Sequence, residues 1–373
     1  MAAISIDDLG AALAAAHPEL AAVRAVAGED DVYLVGGAVR DLLLGRERAD
    51  VDLVVVGDAA ALAGRLGAEP REHERFATAK AQLDGHEVDL ATARTENYPR
   101  PGALPEVEPA ASIEADLARR DFTINALAVP LRGEPALIDP YGGQADLEAG
   151  LLRVLHERSF VDDPTRALRA ARYAARFGFR LEEGTEALLR AADLDTVSAD
   201  RRRAELLRLA AEPQAIRALS LAAEWGLVEP APGGLELAAK TAELISTHPW
   251  DLAEDRARMI LAMALQPVGR EVAMVEASPR SPSAAVELAR RFHPPELVSA
   301  RVRGADWLDD YVEEWTNVKL EIDGEDLIAA GVPQGPAIGR GLQEALRRKL
   351  DGEVAGREEE LEVALAAARQ ESA

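Results

Sequence analysis

The pattern of hydrophobic and polar positions divides the chain into two parts. Up to about residue 144, short apolar runs alternate with turn residues, which is typical of buried strands. The predicted strands are Val32–Val35, Val51–Val56 and His86–Thr92. From Ala145 onward, leucine and alanine recur at helical spacing and strand signals almost vanish. The fold class predicted is α+β, a small mixed sheet with flanking helices followed by an all-helical remainder.

Local signals refine the first part. Gly36-Gly37 predicts a tight turn, and Ala38–Leu44 a short helix ended by Gly45. The segment Arg94–Pro109 is rich in proline and polar residues, and we expect a mobile loop that controls how far the reaction proceeds. Ile113–Val129 predicts a helix with a strand-like end. The N-terminal twenty residues resemble an amphipathic helix and lack the basic start and cleavage site of a signal peptide.

Composition narrows the class of protein. The 373 residues include no cysteine, which excludes disulfides, thiolate metal sites and cysteine nucleophiles. The six histidines are scattered without metal-ligand spacing. No segment approaches the roughly 20 apolar residues of a membrane span. We therefore expect a cytoplasmic protein with no membrane association, and the sequence implies no protein partner.

The net charge alone is misleading, because basic and acidic residues are unevenly distributed along the chain. A value of −24 argues against a nucleic-acid partner, because phosphate binding draws on basic surfaces. Between residues 158 and 217, however, 12 arginines stand against 10 acids, while residues 304–373 hold 7 basic and 17 acidic residues. Arginine suits bidentate contacts to phosphates and base edges. Genome composition or a saline habitat would give the same arginine preference.

Candidate chemistry is concentrated in the stretch from 32 to 55. Residues two apart on a strand share a face, so Asp50 and Asp52 would present their carboxylates together and favour a Mg²⁺ site. The backbone N–H groups of Gly36, Gly37 and Ala38 would form an anion cradle at the helix start. A lone DxD or a lone double glycine is usually only a turn. Their combination in one strand–turn–helix–strand unit indicates nucleotidyl transfer.

The same residues carry a resemblance to a known family. Gly36, Gly37, Val39, Arg40 and Asp41, followed by Asp50 and Asp52, match the GGxVRD…DxD pattern. The chain thereby resembles the class II tRNA nucleotidyltransferase and poly(A) polymerase family, part of the polymerase beta-like nucleotidyltransferase superfamily. The segment DLARRDFTINALA at 116–128 resembles the RRDFTxNA motif of that family without departure.

The resemblance implies roles for the first part. Asp50 and Asp52 would be catalytic and hold Mg²⁺, with Asp89 as a third acid; a strand carboxylate facing solvent is an equal alternative for Asp89. The remaining implied nucleotide-binding residues of this part contact the sugar and phosphates: Gly36, Gly37, Arg40, Arg120, Asp121 and Asn125.

An arginine-rich helix follows, with Pro164 in its first turn and Asp162 or Asp163 as its cap. Asp162, Asp163 and Arg166 resemble the EDxxR motif of the family, with aspartate in place of the commoner glutamate. In the family this acid and arginine read the edge of the incoming base, and the resemblance adds Arg169 and Arg172 to the nucleotide contacts. A solvated arginine face is the alternative.

The end of the chain resembles the tail of tRNA-maturing family members. Gly335, Pro336, Ile338 and Gly339 predict a turn that opens a helix, where Gly335 and Gly339 would contact RNA. A plain helix–loop–helix is an equal alternative. The resemblance implies a catalytic head (1–144), a base-recognising helical neck (145–215), a helical body (216–303) and a tRNA-binding helical tail (304–373).

The function implied is addition of CMP, AMP or both from CTP and ATP to the 3′ end of tRNA, with Mg²⁺ as cofactor. A poly(A) polymerase on the same scaffold, or an enzyme that adds only CC or only A, is the alternative. A catalytically silent RNA-binding protein would have no need for Asp50, Asp52, Asp163 and Arg166. A small-molecule nucleotidyltransferase would share the head and lack the arginine-rich neck.

Overall fold

The computed structural model describes residues 9–46, 50–67, 78–83, 85–251, 255–267 and 269–370. The chain forms two compact units, residues 1–228 and 229–373. Among the described residues, no helix is long and apolar enough to cross a membrane. The finer division into head, neck, body and tail stays a prediction.

The first unit contains the strands and about half of the helices. Its strands are β1 (Asp31–Val35), β2 (Val51–Val56), β3 (Thr78–Leu83), β4 (His86–Thr92), β5 (Arg94–Asn97), β6 (Glu106–Pro109), β7 (Ala128–Pro130), β8 (Leu151–Leu152) and β9 (Arg180–Leu181). Its helices are α1 (Leu9–Ala16), α2 (Leu20–Ala27), α3 (Gly37–Leu43), α4 (Ala59–Arg65), α5 (Ile113–Leu117), α6 (Gly143–Ala149), α7 (Ser159–Asp162), α8 (Thr165–Phe177), α9 (Glu183–Leu189), α10 (Ala199–Ala210) and α11 (Ala215–Glu224).

A five-stranded mixed sheet organises this unit, in the order β3-β4-β2-β1-β7. Strand β2 runs parallel to β4 and antiparallel to β1. Apolar residues of β1 and β2 are buried on both faces, because Leu34 and Leu53 pack into the largest core on one face and Val35 and Val54 into a smaller core on the other. The three strands predicted from the apolar pattern and the predicted helix after Gly36-Gly37 are confirmed. The parallel β2–β4 pairing places Asp52 directly opposite Asp89.

Two predictions about the first unit are wrong. Arg94–Pro109 is not an irregular loop, because its two ends pair as the antiparallel hairpin β5–β6 and its prolines fall between or at the ends of the strands. Ile113–Val129 is not one helix, although its predicted strand-like end is confirmed by β7. Helix α5 stops at Leu117, and Thr123–Asn125 forms a single 3₁₀ turn. The break follows from Phe122, which is extended and forms a β-bridge with Val154.

Helix α8 is the predicted arginine-rich helix. Leu168, Ala171 and Ala175 are buried on one face, as their spacing predicts, and this face holds the helix in the core of the first unit. Pro164 occupies the N-cap position, and Asp163 accepts a hydrogen bond from the backbone N–H of Thr165 at 3.1 Å. Because the apolar face is fixed, the arginines project from the other side. Helix α10 packs against α8.

The second unit is helical in its described part. Its helices are α12 (Gly234–Leu244), α13 (Arg256–Leu265), α14 (Val272–Val275), α15 (Pro282–Ala289), α16 (Pro294–Val302), α17 (Leu308–Glu313), α18 (Gly324–Ala329), α19 (Pro336–Leu350) and α20 (Gly356–Arg369). One core packs around Met274, Val298 and Leu308. Another lies among α18, α19 and α20, around Leu327 and Ala345.

Candidate active site

A polar cleft of about 1310 Å³ lies in the first unit, among α3, the start of β2, the hairpin β5–β6, α8 and α10. It gathers nearly all the predicted site residues of that unit. The predicted residues that line it are Gly36, Gly37, Arg40, Asp50, Asp52, Arg120, Asp121, Asn125, Asp163, Arg166, Arg169 and Arg172. Asp162 does not line the cleft; its carboxylate pairs with Arg158 at 2.9 Å.

The predicted metal carboxylates lie at the start of β2. Asp50 and Asp52 both line the cleft and reach solvent, although the carboxyl group of Asp52 is partly desolvated by the surrounding cleft. Burial of its carboxyl group raises the pKa of Asp52, and the nearby charges of Asp89 and Asp50 raise it further. Carboxylates that lie close together in this way can be neutralised by a divalent cation. Among the described residues, no group of three or more potential ligands has metal-binding geometry.

Asp89 lies beside Asp52 but does not line the cleft. Its carboxylate forms an ion pair with Lys80 on the neighbouring strand β3 at 3.2 Å, and Lys80 also contacts Glu87. The sequence analysis missed Lys80, because the antiparallel register that sets Lys80 opposite Asp89 is a property of the sheet. A catalytic role for Asp89 stays a prediction.

The turn at Gly36 differs from the predicted anion cradle. The N–H of Gly36 donates to the carbonyl of Leu127 at 3.0 Å, so it is already engaged. Gly36 has φ +62°, and an added Cβ would lie 2.5 Å from Nη1 of Arg120. Glycine is therefore required at this position both by backbone conformation and by the approach of an arginine. The cradle is reduced to the N–H groups of Gly37 and Ala38.

A buried carboxylate that the sequence analysis did not single out organises the two arginines of the RRDFT segment. Asp116 is fully buried and pairs with Arg119 at 2.8 Å and with Arg120 at 3.0 Å. Burial raises the pKa of Asp116, but the two guanidinium charges outweigh burial and leave the pKa lowered. The spacing of three and four residues was a visible signal for these pairs. Arg120 is thus held beside the Gly36 turn.

Asp121 is the centre of a buried polar chain. Its carboxylate accepts hydrogen bonds from Asn125 at 2.9 Å and from Arg169 at 2.7 Å. Asn125 in turn accepts from Arg40 at 2.6 Å, and Arg40 holds Asp41 at 2.8 Å. Burial raises the pKa of Asp121, but Arg169 and the hydrogen bond from Asn125 overcome burial and bring the pKa to about 2. These hydrogen bonds link α3, the RRDFT segment and α8.

The predicted base-reading pair lies at the start of α8. Oδ1 of Asp163 is engaged, because it accepts from Thr165 and from Arg201 at 3.0 Å. Its Oδ2 accepts none of the hydrogen bonds found among the described residues. Arg166 donates to Ser159 and to the carbonyl of Arg119, each at 2.7 Å. Both side chains are therefore held in fixed positions while keeping hydrogen-bonding capacity toward the cleft.

The turn of the β5–β6 hairpin contacts the same pair. The N–H of Gly102 donates to the carbonyl of Asp162 at 3.2 Å, and its carbonyl accepts from Arg201 at 2.8 Å. Tyr98 lies with its ring 6.0 Å from the Arg166 guanidinium. Burial and the charge of Glu96 raise the pKa of Tyr98 to about 12. The sequence analysis missed Arg201 and Gly102 as partners of the base-reading residues.

Farther along α8, two arginines share one carboxylate. Arg172 lies 3.5 Å from Glu212 and Arg176 lies 2.8 Å from it. Glu205 of α10 contacts Arg208 and lies 4.0 Å from Arg169. Most of the positive charge around the cleft is therefore balanced within the protein.

The predicted RNA-contacting glycines belong to the second unit. Gly335 is the N-cap of α19 and Gly339 lies in its first turn, so the predicted turn that opens a helix is confirmed. An added Cβ would meet no atom within 4 Å at either glycine. Their role toward RNA stays a prediction.

Comparisons with known proteins agree on one family. Residues 32–153 match the family model of the poly A polymerase head domain. The chain is 36% identical to the CC-adding tRNA nucleotidyltransferase of Deinococcus radiodurans, covering 90% of this chain and 89% of that protein. It is 32% identical to the A-adding tRNA nucleotidyltransferase of Geobacter sulfurreducens, covering 90% of this chain and 45% of that protein.

A solved structure matches over nearly the full length. The Thermotoga maritima CCA-adding enzyme, solved in complex with tRNA, superimposes with a TM-score of 0.75 at 30% identity, covering 98% of this chain and 99% of that chain. By contrast, the chain spans less than half the length of three A-adding relatives, 45%, 20% and 38%.

Proposed function

Because the chain belongs to the class II tRNA nucleotidyltransferase family, we propose that it adds CMP, AMP or both, from CTP and ATP, to the 3′-hydroxyl of tRNA. The reaction needs no nucleic-acid template and releases pyrophosphate. The observation that carries the proposal is the cleft itself, which brings the β2 carboxylates together with a preordered acid–arginine pair at the start of α8.

Nucleotidyltransferases of this family generally use divalent metal ions. We propose that Asp50 and Asp52 hold Mg²⁺, since both carboxylates line the cleft and hard carboxylate oxygens suit that ion. When bound, the ion would supply Lewis-acid stabilisation of the triphosphate and of the attacking hydroxyl.

The remaining residues bind and orient the substrates. Gly37 lines the cleft at the start of α3, and its N–H group together with that of Ala38 would suit phosphate oxygens. The Asp121–Asn125 pair is held rigidly by Arg169 and Arg40, which suits a site that positions a ribose. A side chain that is already ordered loses little entropy when the nucleotide binds.

Base selection is assigned to Asp163 and Arg166. A carboxylate oxygen can accept from N4 of cytosine or N6 of adenine, and a guanidinium can donate to ring acceptors. Uracil and guanine lack an amine at the equivalent edge position. Since Oδ2 of Asp163 is uncommitted while Oδ1 is fixed by Thr165 and Arg201, the pair favours cytosine and adenine.

The proposal is tested with purified protein and three tRNA substrates that lack CCA, CA or the terminal A, each supplied with single nucleotides. Incorporation of C, of A, or of both in order identifies a CC-adding, an A-adding or a complete CCA-adding enzyme. Addition of long adenosine tracts to unrelated RNA would instead identify a poly(A) polymerase. Absence of incorporation on every substrate would refute the proposal.

Asp52→Asn tests the carboxylates. We expect incorporation to fall at least 100-fold while the tRNA dissociation constant changes little, because the group acts on the reacting atoms. Asp58→Asn is the matched control, since Asp58 follows the same strand and caps α4. Near-normal turnover of Asp52→Asn at saturating Mg²⁺ would contradict the assignment.

A further inference from the structure

We propose that Arg46 binds the terminal phosphates of the incoming nucleotide. This inference rests on the proposed function and names the part of the substrate that this end of the cleft takes. Ten arginines line the cleft.

Most of these arginines are neutralised by a carboxylate. The ion pairs are Arg40–Asp41, Arg119–Asp116, Arg120–Asp116, Arg169–Asp121, Arg172–Glu212, Arg176–Glu212, Arg201–Asp163 and Arg208–Glu205. In the part of the chain that the structure describes, Arg46 and Arg166 alone among the ten lack a carboxylate partner. Arg166 belongs to the base-reading pair. Arg46 is therefore a cation of the cleft that has no carboxylate partner among the described residues.

The surroundings of Arg46 favour an anionic ligand. Its guanidinium lies 4.8 Å from the ring centroid of Phe177, and the guanidinium of Arg40 lies 4.6 Å from the same centroid. Two like charges at one ring repel each other, and Arg40 is paired with the Asp41 carboxylate whereas Arg46 is paired with none of the described carboxylates. An anion bound near Arg46 would remove this repulsion.

A purely structural role accounts for only part of the side chain. Nη2 of Arg46 donates to the carbonyl of Arg176 at 3.3 Å, which is a favourable contact for a cation at the end of a helix. The other N–H groups of this exposed guanidinium donate to no described residue. They remain available in a fork that suits two phosphate oxygens.

The position along the cleft identifies which phosphates. Arg46 lies at the last turn of α8, whereas the base-reading pair lies at its first turn. Ten residues separate Arg166 from Arg176, which corresponds to about 15 Å along the helix. A nucleoside triphosphate whose base faces Arg166 and whose chain extends along α8 would bring its β- and γ-phosphates toward Arg46. These phosphates leave as pyrophosphate, so Arg46 would hold the leaving group.

Binding of AMP, ADP and ATP to the full-length protein in Mg²⁺ tests this assignment. For Arg46→Ala we expect about tenfold weaker binding of ATP and CTP alike, with AMP affinity unchanged, because a charged hydrogen bond to the terminal phosphates is lost. Arg46→Lys should recover part of the loss. Arg65→Ala is the control, since Arg65 is an exposed arginine that pairs with Asp30 outside the cleft.

Two results would overturn the proposal. If Arg46→Ala weakened AMP as much as ATP, the side chain would act on the base or sugar site. If it raised the KM for tRNA and left ATP binding intact, Arg46 would contact the tRNA backbone. A wild-type protein that binds ATP but adds nothing to tRNA would refute the proposed function, while the ATP and AMP comparison would still decide the role of Arg46.

Discussion

At the scale of single residues, the surroundings of Arg166 suit the base-reading role proposed for it. Its side chain is buried, and two neutral oxygens, of Ser159 and of the Arg119 carbonyl, fix it. Because none of the described carboxylates forms an ion pair with this guanidinium, its remaining N–H groups can donate to a nucleotide.

Arg166→Ala should therefore damage selectivity more than turnover. A base-edge contact supplies roughly 1–3 kcal/mol of discrimination, so misincorporation of UTP or GTP should rise about tenfold. The measurement is kcat/KM for all four nucleotides on one tRNA substrate. Arg158→Ala is the control, because Arg158 is exposed and lies outside the cleft. Lower turnover with unchanged selectivity would show that Arg166 serves structure only.

Arg169→Met should destabilise the protein, because it leaves the buried Asp121 carboxylate without its main partner. Loss of one member of such a pair costs about 3 kcal/mol. The pKa of Asp121 is about 2 in the folded protein, below its ordinary value of 3.8, so the stabilisation is present above that ordinary value and is lost as pH falls toward about 2.

Urea unfolding between pH 7 and pH 3 measures this effect. The gap between wild type and Arg169→Met should narrow as pH falls below about 5. The double variant Asp121→Asn, Arg169→Met removes both charges and should be more stable than the single variant at pH 7. An equal gap at every pH would contradict the importance of the ion pair.

At the scale of elements, the β5–β6 hairpin supports the base-reading pair. Gly102 has φ +68°, and an added Cβ would lie 2.6 Å from the carbonyl oxygen of Thr196. The turn is therefore closely packed against the segment before α10. Through Arg201, the same turn helps to hold Asp163.

Gly102→Ala should displace the turn and loosen Asp163. We expect nucleotide selectivity or the extent of addition to change, while joining of the first nucleotide persists. Product lengths on tRNA lacking CCA measure the outcome. Gly133→Ala is the matched control, because Gly133 has φ +76° with no atom within 4 Å of an added Cβ, so it carries only the backbone cost. Identical products from both variants would reduce the hairpin to a connector.

At the scale of the whole molecule, the first unit has its own cores and the entire cleft. Its largest core includes the sheet and part of α8, and a smaller one lies around Val35 and Leu117. The acidic residues near the end of the chain belong to the second unit. Nucleotide binding should therefore need the first unit alone.

A fragment of residues 1–228 should unfold cooperatively and bind ATP within about threefold of the full chain. We expect it to add nucleotides to tRNA poorly, since the resemblance assigns tRNA contacts to the tail. Circular dichroism and ATP titration measure the first two properties. A fragment without a cooperative transition would show that its cores need the second unit.

Local patterns in the sequence predicted three strands of the sheet, the arginine-rich helix and twelve of the residues that line the cleft. Apolar runs, helical spacing and the double glycine are local patterns, and backbone geometry converts them into local structure. Asp50, Asp52, Asp163 and Arg166 could be found because short motifs carry their chemistry.

Which charged side chains form ion pairs depends on the tertiary structure. Lys80 reaches Asp89 through sheet register, and Arg201 connects Gly102 to Asp163 across 99 and 38 positions of sequence. The N–H of Gly36 is taken by Leu127, which no local pattern reveals. Hydrogen bonds and ion pairs depend on distances of a few ångströms between segments that the folded core brings together. For that reason no local pattern reveals that Arg46 lies beside none of the described carboxylates.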